Sequence, residues 1–488
     1  MHMSPFRIPA FLAINLVSAA LWSNNIQVSN VSLNGQNPAT DTWQVAFDLS
    51  WDNSWRTSSG ESNYDAAWVF IKYRFGPNTD WRHATLSPSG HIVSALATVA
   101  SDQRGVFIHR GIDGIGTMSL TNSQLRWNYS GTGVGDNDPI EVRVFAIEMV
   151  RVPQGSFAAG DGATSDFQRH FGAGNSNDPF IFTSEAALNL GGFLSTSLGN
   201  RNNVDSGSGA DDDFSTTVNQ TLPAGFPKGF NAFFMMKYEC SEGQYVDFLN
   251  MLTPAQANNR FPNTTGTLGN TIDDSGTPPE LYVTSAPERA ASMRGTDLLA
   301  YADWAALRPM TELEFEKGCR GNRPVVEDEY AWGSTSLRTT PVYGVFDAGT
   351  ANETVNAVGT EGNANYSIFI TPNRPARVGI FAGSLTNPDR AAAGAGYYGA
   401  MELSGNLPEM VINVGTPQGR AFTGASGDGT LDASGAATVA GWPTSGLPLA
   451  VRGGGTGDLA VRLRVSDRHS AVNALSTAGK GARLCRFP

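Results

Sequence analysis

The segment Gly399 to Val411, GAMELSGNLPEMV, carries the side chains best suited to hard-ion chemistry. Its Ser-Gly-Asn-x-x-Glu core sets the amide of Asn406 before the carboxylate of Glu409, a pair that can help to hold a cation or can simply turn the chain. Soft ligands are sparse. Cysteine occurs only at Cys240, Cys319 and Cys485, with no C-x-x-C spacing for zinc and too few thiols for a disulfide scaffold. The six histidines, His2, His83, His91, His109, His170 and His469, stand singly, without an H-x-x-x-H pair. An iron site is therefore not expected, short of convergence of distant residues. The run GAGYYG, Gly394 to Gly399, fits G-x-G-x-x-G but lacks a βαβ setting and a following acidic ribose-binding residue, and reads as a flexible loop.

The elements that would position these groups are bounded by composition. A chain of 488 residues exceeds what one hydrophobic core organises, so at least two domains are expected. With 55 glycines, 26 prolines and 16% charged residues it should build short strands and many ordered loops, while 40% apolar residues argue against disorder. A formal charge of −12 and the lack of any Lys/Arg run disfavour nucleic acid as a partner. Near the N-terminus, IPAFLAINLVSAALW follows a single Arg7 and ends in small and polar residues; this predicts a secretory signal peptide over residues 1–23, with a buried N-terminal helix as the alternative. No second apolar run reaches membrane length, so the mature chain is expected to be secreted or held at the cell surface and not to span a membrane. Export would permit one disulfide and leave one thiol over.

From Asn24 to about Glu148 the sequence alternates as strands do. VAFDLSW puts Val45, Phe47, Leu49 and Trp51 on one face, whereas AWVFIKYRF (Ala67 to Phe75) and IEVRVFAIEM (Ile140 to Met149) are apolar on both. Turn signals such as LNGQNP and FGPNTD separate them, predicting a β-sandwich over 24–148. Six tryptophans crowd this region (Trp43, Trp51, Trp55, Trp68, Trp81 and Trp127); they either stack sugars or, as their alternating positions favour, fill the core. Beyond Met149 long Gly/Asn/Ser/Asp loops are broken by three helix candidates, CSEGQYVDFLNML, TDLLAYADWAAL and TELEFEKGCRG. The last opens with Thr311 and Glu314 as a capping box.

These segments also fall in a recognisable order. MVRVPQGSFAAGDG (Met149 to Gly162), FFMMKYECSEGQYVDFLNML, RPMTELEFEKGCRG, YAWG (Tyr330 to Gly333), GAMELSGNLPEMV, VRGGG (Val451 to Gly455) and GARLCRF resemble the successive motifs of the formylglycine-generating enzyme family, the sulfatase-modifying factor domains. The resemblance spans Met149 to Pro488 and implies a variant C-type-lectin fold, so the fold class expected is α+β: an N-terminal β-sandwich followed by a loop-rich lectin-like domain over 149–488. In that family the Gly-Asn-x-x-Glu segment helps to bind calcium. The resemblance thus implies a calcium site at Asn406 and Glu409, with the GNAN run that includes Asn363 as part of a second loop. The family's NVWEW is here NLPEM, however, and the alternative is that Asn406 caps backbone groups while Glu409 pairs with an arginine. The resemblance further implies a Cys319–Cys485 disulfide.

Family enzymes hold copper(I) on two cysteines shortly after the Arg-Gly-Gly motif, and soft Cu(I) accepts no common substitute for thiolate. After Arg452 this chain offers only Cys485, so copper, like iron, is not expected. LRVSDR (Leu463 to Arg468) and its surroundings resemble the variable proteins of diversity-generating retroelements, which use this fold to display changeable ligand-contacting side chains. That likeness implies a ligand-facing surface at Asp458, Arg462, Arg464, Asp467, Arg468 and His469. The competing view is that several of these pair internally to pin a loop-rich fold. The expected function is binding of a protein or glycan at a cell surface by a catalytically degenerate member of the family; the alternatives are a thiol-directed oxidase of the formylglycine-generating or non-haem iron type, and an inert structural or adhesive module.

Overall fold

A computed structural model describes residues 26–488 apart from 77–79, 164–169, 202–213, 215–217, 263–268, 340–341, 357–358, 371–372, 385–388, 445–448 and 471–478. The expected signal peptide, 1–23, lies outside the described residues. Nine strands run from β1 (Gln27–Asn37) and β2 (Thr42–Arg56) through β3 (Asp65–Phe75), β4 (Arg82–His83), β5 (Thr85–Leu86), β6 (Leu96–Val99), β7 (Val106–His109) and β8 (Gly114–Asn128) to β9 (Ile140–Val152). They belong to two sheets. One has the order β1-β2-β8-β5; the other has eight strands, in which β6, β7, β3 and β9 continue into Phe233–Met236, Leu484–Arg486 and Arg308–Pro309, with β4 paired to β3.

The alternation of β2 sends Val45, Phe47, Leu49 and Trp51 into a core shared with Leu120, Leu125 and Trp127 of β8 and with Ala67, Val69, Ile71 and Tyr73 of β3. The intervening residues of β3 point the other way. Trp68 and Phe70, with Ile147 and Met149 of β9, join a second core beside Tyr245, Phe248, Tyr301 and Trp304. Both faces of β3 are therefore covered, which is why its sequence is apolar on both. Two polar residues of the strand are buried: Asp65 accepts from Trp51 Nε1 at 2.9 Å, and Lys72 donates to the carbonyl of Trp304 at 2.7 Å. Trp51, Trp68 and Trp127 are fully buried, and Trp43, Trp55 and Trp81 pack half-buried against the cores.

The junction expected at 148/149 falls within β9. That strand pairs with β3 over Ile140–Val150 and with Phe233–Met236 over Met149–Val152, so the two regions share one sheet. Trp68 Nε1 to the carbonyl of Ala305 (2.9 Å) and Asn63 Nδ2 to that of Tyr398 (2.8 Å) add cross-links.

Beyond β9 regular structure is scarce and capped with care. Helices α1 (Glu242–Asn250), α2 (Pro254–Arg260) and α4 (Glu312–Arg320) begin at Ser241, Thr253 and Thr311, each in a full capping box, and α3 (Gly295–Trp304) begins at Arg294. Three of the four occupy the predicted segments. Among the described residues no helix is long and apolar enough to cross a membrane.

Candidate functional site

Helix α4 is the anchor of the C-terminal half. Its carboxylates at Glu312 and Glu316 and the guanidinium of Arg320 follow one another at intervals of one helical turn, so they share a face, and that face is turned inward. Glu312 receives Arg468 Nε at 2.8 Å and Arg452 Nη1 at 3.1 Å; Glu316 receives Arg452 Nη2 at 2.6 Å; Arg320 bonds Glu329. Arg308 closes a bidentate pair on Glu314 at 2.6 and 2.8 Å. Burial alone would push Glu312 up, but Arg468 and Arg452 outweigh it and hold its carboxyl below the ordinary value. The second half of the Arg468 environment is aromatic, its guanidinium lying 3.9 Å from the ring centroid of Phe171.

This arrangement corrects one expected ligand contact. Arg468 is fully buried and cannot face a ligand, because Glu312 and Asn200 take its donors. Asp467 is also buried; burial raises its carboxyl to about 6, against the pull of Arg462, whose Nη1 is 3.3 Å away. Arg464 pairs with Asp328 at 2.8 Å on the surface. Asp458, Arg462 and His469 are half-buried and reach solvent. Internal pairing thus accounts for Arg464, Asp467 and Arg468.

Asp458 stands at a small pocket of ≈ 140 Å³ lined by Asn373, Leu407, Pro408, Thr456 and the glycines around them. Its carboxylate accepts from Gly455 N at 2.9 Å, and its carbonyl accepts from Ser367 N at 3.1 Å. Ser367 and the next residue hold φ of 47° and 62°; the latter is Ile368, a β-branched residue for which the left-handed region is strained. Ile368 N donates to the carbonyl of Thr456, fixing this strained turn beside the pocket. Pro408, the departure from the family's pattern, forms part of its wall.

Behind the pocket lie the residues expected to bind calcium. Asn406 Oδ1 accepts from Ala376 N (2.8 Å) and Asn365 Nδ2 (3.2 Å), and its Nδ2 donates to Glu239. Glu409 Oε1 accepts from Arg483 Nη2 at 3.2 Å. Asn363 accepts from the Tyr343 hydroxyl and donates to the carbonyls of Gly359, Glu361 and Ala392. Of the side-chain oxygens of Asn363, Asn365, Asn406 and Glu409, only Glu409 Oε2 and Asn365 Oδ1 lack a hydrogen-bond partner, where calcium takes six to eight oxygens. The residues so arranged do not fit the ion; they stand in the alternative arrangement of cap and arginine pair. Burial lifts Glu409 to about 8 and Glu402 nearby to about 7, Arg483 opposing the first and the backbone N–H of Gly379 the second.

The cysteines are all free and fully buried. Cys319 and Cys485 share one apolar cluster but form no disulfide, a correction to the expected bridge. Met235 is paired with Cys485 across the ladder, and its Sδ lies against Gly318, next to Cys319, so thioether packing fills this space. Burial pushes all three thiols well above their ordinary value. Among the described residues no three His, Cys, Asp or Glu side chains stand where they could hold a metal ion. Sequence reasoning missed the roles of Glu312, Glu316 and Arg452; the signal available was the one-turn spacing of charges around Phe315 and Cys319, both core residues.

A family model described as "Sulfatase-modifying factor enzyme 1-like domain" matches residues 206–487. Among solved structures, Treponema denticola variable protein 1 is similar at 12% identity and a TM-score of 0.31, over 70% of this chain and 96% of that one. No curated protein matches.

Proposed function

Since the chain belongs to the sulfatase-modifying factor enzyme 1-like family, we propose that it uses that family's lectin-like fold to bind a protein or glycan at a cell surface and not to oxidise a thiol. The observation that carries this reading is the state of the cysteines. All three are buried, and burial raises their thiols and disfavours the thiolate that Cu(I) requires. Binding is supported by the strained, exposed turn and pocket at Asp458; Arg462 and His469, further along the same C-terminal segment, also reach solvent. The strands before β9 are read as a β-sandwich that covers the back of the shared sheet, and residues 1–23 as the leader that delivers the chain to the outside.

The test is a screen of the mature chain against glycan and surface-protein arrays, repeated with Asp458→Ala, Arg462→Ala and His469→Ala combined. Capture by the parent, lost in an equally folded triple variant, is expected; capture that survives the triple substitution would move the binding face elsewhere. Calcium is given no part in holding the Asn406 loop. Chelation is expected to leave the melting temperature unchanged.

A further inference from the structure

Beyond the binding face at Asp458, we propose that an open pocket between β10 (Phe157–Ala159), the strand Phe180–Phe182 and the turn that follows α4 binds an organic anion with an apolar body, such as an alkyl or aryl carboxylate. Its volume of ≈ 520 Å³ lies in the range of small-molecule sites. Phe157, Pro179, Ile181, Pro324 and Val325 supply its apolar lining. Ile181 is 54% exposed, a large apolar side chain held open to water at the mouth of a concave apolar surface.

The pocket is built before any ligand arrives. Phe157 is in register with Phe182, and the two rings stack at 5.1 Å. The outer carbonyl of Ala158 is taken by Arg320 at 2.6 Å, which ties this strand to the buried ion network. Gly321, at φ +67°, turns the chain where a Cβ would lie 2.0 Å from the Tyr397 ring, and so places residues 322–325 over the strand edge. Two of the apolar lining residues are prolines, which offer no N–H to compete for the space.

Charge selects the ligand. Among the nine lining residues none is acidic and one, Arg323, is cationic. Arg308, Arg320, Arg452, Arg468 and Arg483 all sit on carboxylates, whereas the contact of exposed Arg323 is the Tyr397 ring at 5.8 Å. A guanidinium without a carboxylate partner among the described residues, beside an apolar pocket in a chain of net charge −12, suits a carboxylate whose body fills the pocket.

Isothermal titration of the full chain with octanoate, and with 1-octanol as the uncharged comparison, tests this. Octanoate should bind saturably and about tenfold more tightly than octanol, the share expected of one charge-assisted contact. Arg323→Gln should erase that preference, and Ile181→Asp, at an exposed position, should abolish binding of both with the fold intact by circular dichroism. Absence of saturable octanoate binding, or an unaltered preference in Arg323→Gln, would overturn the assignment.

Discussion

The strands up to Val152 and the chain beyond them solve the same problem by opposite means. In the first region, long paired strands align apolar side chains in layers, and Trp51, Trp68 and Trp127 fill the space between and behind the sheets. In the second, strands of two to four residues cannot set positions by their ladders. There, loops are tied by buried guanidinium–carboxylate pairs that converge on α4: Glu312 with Arg452 and Arg468, Glu316 with Arg452 and Arg320, Glu314 with Arg308. Apolar packing tolerates substitution of similar volume, whereas a buried ion network is all-or-none: intact it fixes a unique arrangement, and broken it leaves a charge without water. Irregular backbone can therefore be held rigidly enough to present a surface.

The sharpest way to break this contrast is to delete the shared carboxylate. Glu312→Ala removes the carboxylate shared by two buried guanidiniums, leaving Arg452 only Glu316 and Arg468 no Glu312 to offset its charge, and is expected to cost about 5 kcal/mol or prevent folding. Adding Arg468→Met should restore part of the loss by removing one of the two buried charges. In the first region Leu49→Ala should cost about 3 kcal/mol, the sum of lost transfer energy and a cavity. Urea denaturation measures all three variants. A Glu312→Ala loss no larger than that of Leu49→Ala would erase the distinction between the two halves.

A smaller, graded effect sharpens it. Glu402 is lifted to about 7 by burial, so the folded chain holds a proton that the unfolded chain releases near the ordinary carboxyl value. The stability tied to that proton is complete below the unfolded value and is lost as pH rises through about 7. Between pH 6.5 and pH 8 the fall in melting temperature tied to Glu402 should vanish in Glu402→Gln, while the imidazoles, which titrate near about 6.5, contribute equally to both proteins. Leu49 packs in an apolar core of the first region, so Leu49→Ala should keep the parent's slope.

How far these features were legible in the sequence differs between the halves for the same reason. Alternation in β2 and the two-faced apolarity of β3 are local patterns, and so are the caps at Ser241 and Thr311; each survives into the structure. Helix α2 carried an equal signal, Thr253-Pro254 with Gln256, and went unread among polar residues. The shared sheet was hidden because β9 finds its second partner across a long intervening stretch, at Phe233–Met236. The ligand-facing expectation for Arg468 rests on the family resemblance, and internal pairing, the competing view, is what the structure shows. The partner of Arg468, Glu312, is remote in sequence, and only their meeting in space turns two surface-type residues into a core pair.

This family member is proposed to bind and not to oxidise. Mass spectrometry of a cysteine-containing sulfatase peptide, incubated with the Cu(I)-treated chain and oxygen, tests it most directly. The peptide should keep its thiol, as it does with a Cys240→Ala, Cys319→Ala, Cys485→Ala control. Conversion of its cysteine to formylglycine by the parent, and not by that control, would contradict the account.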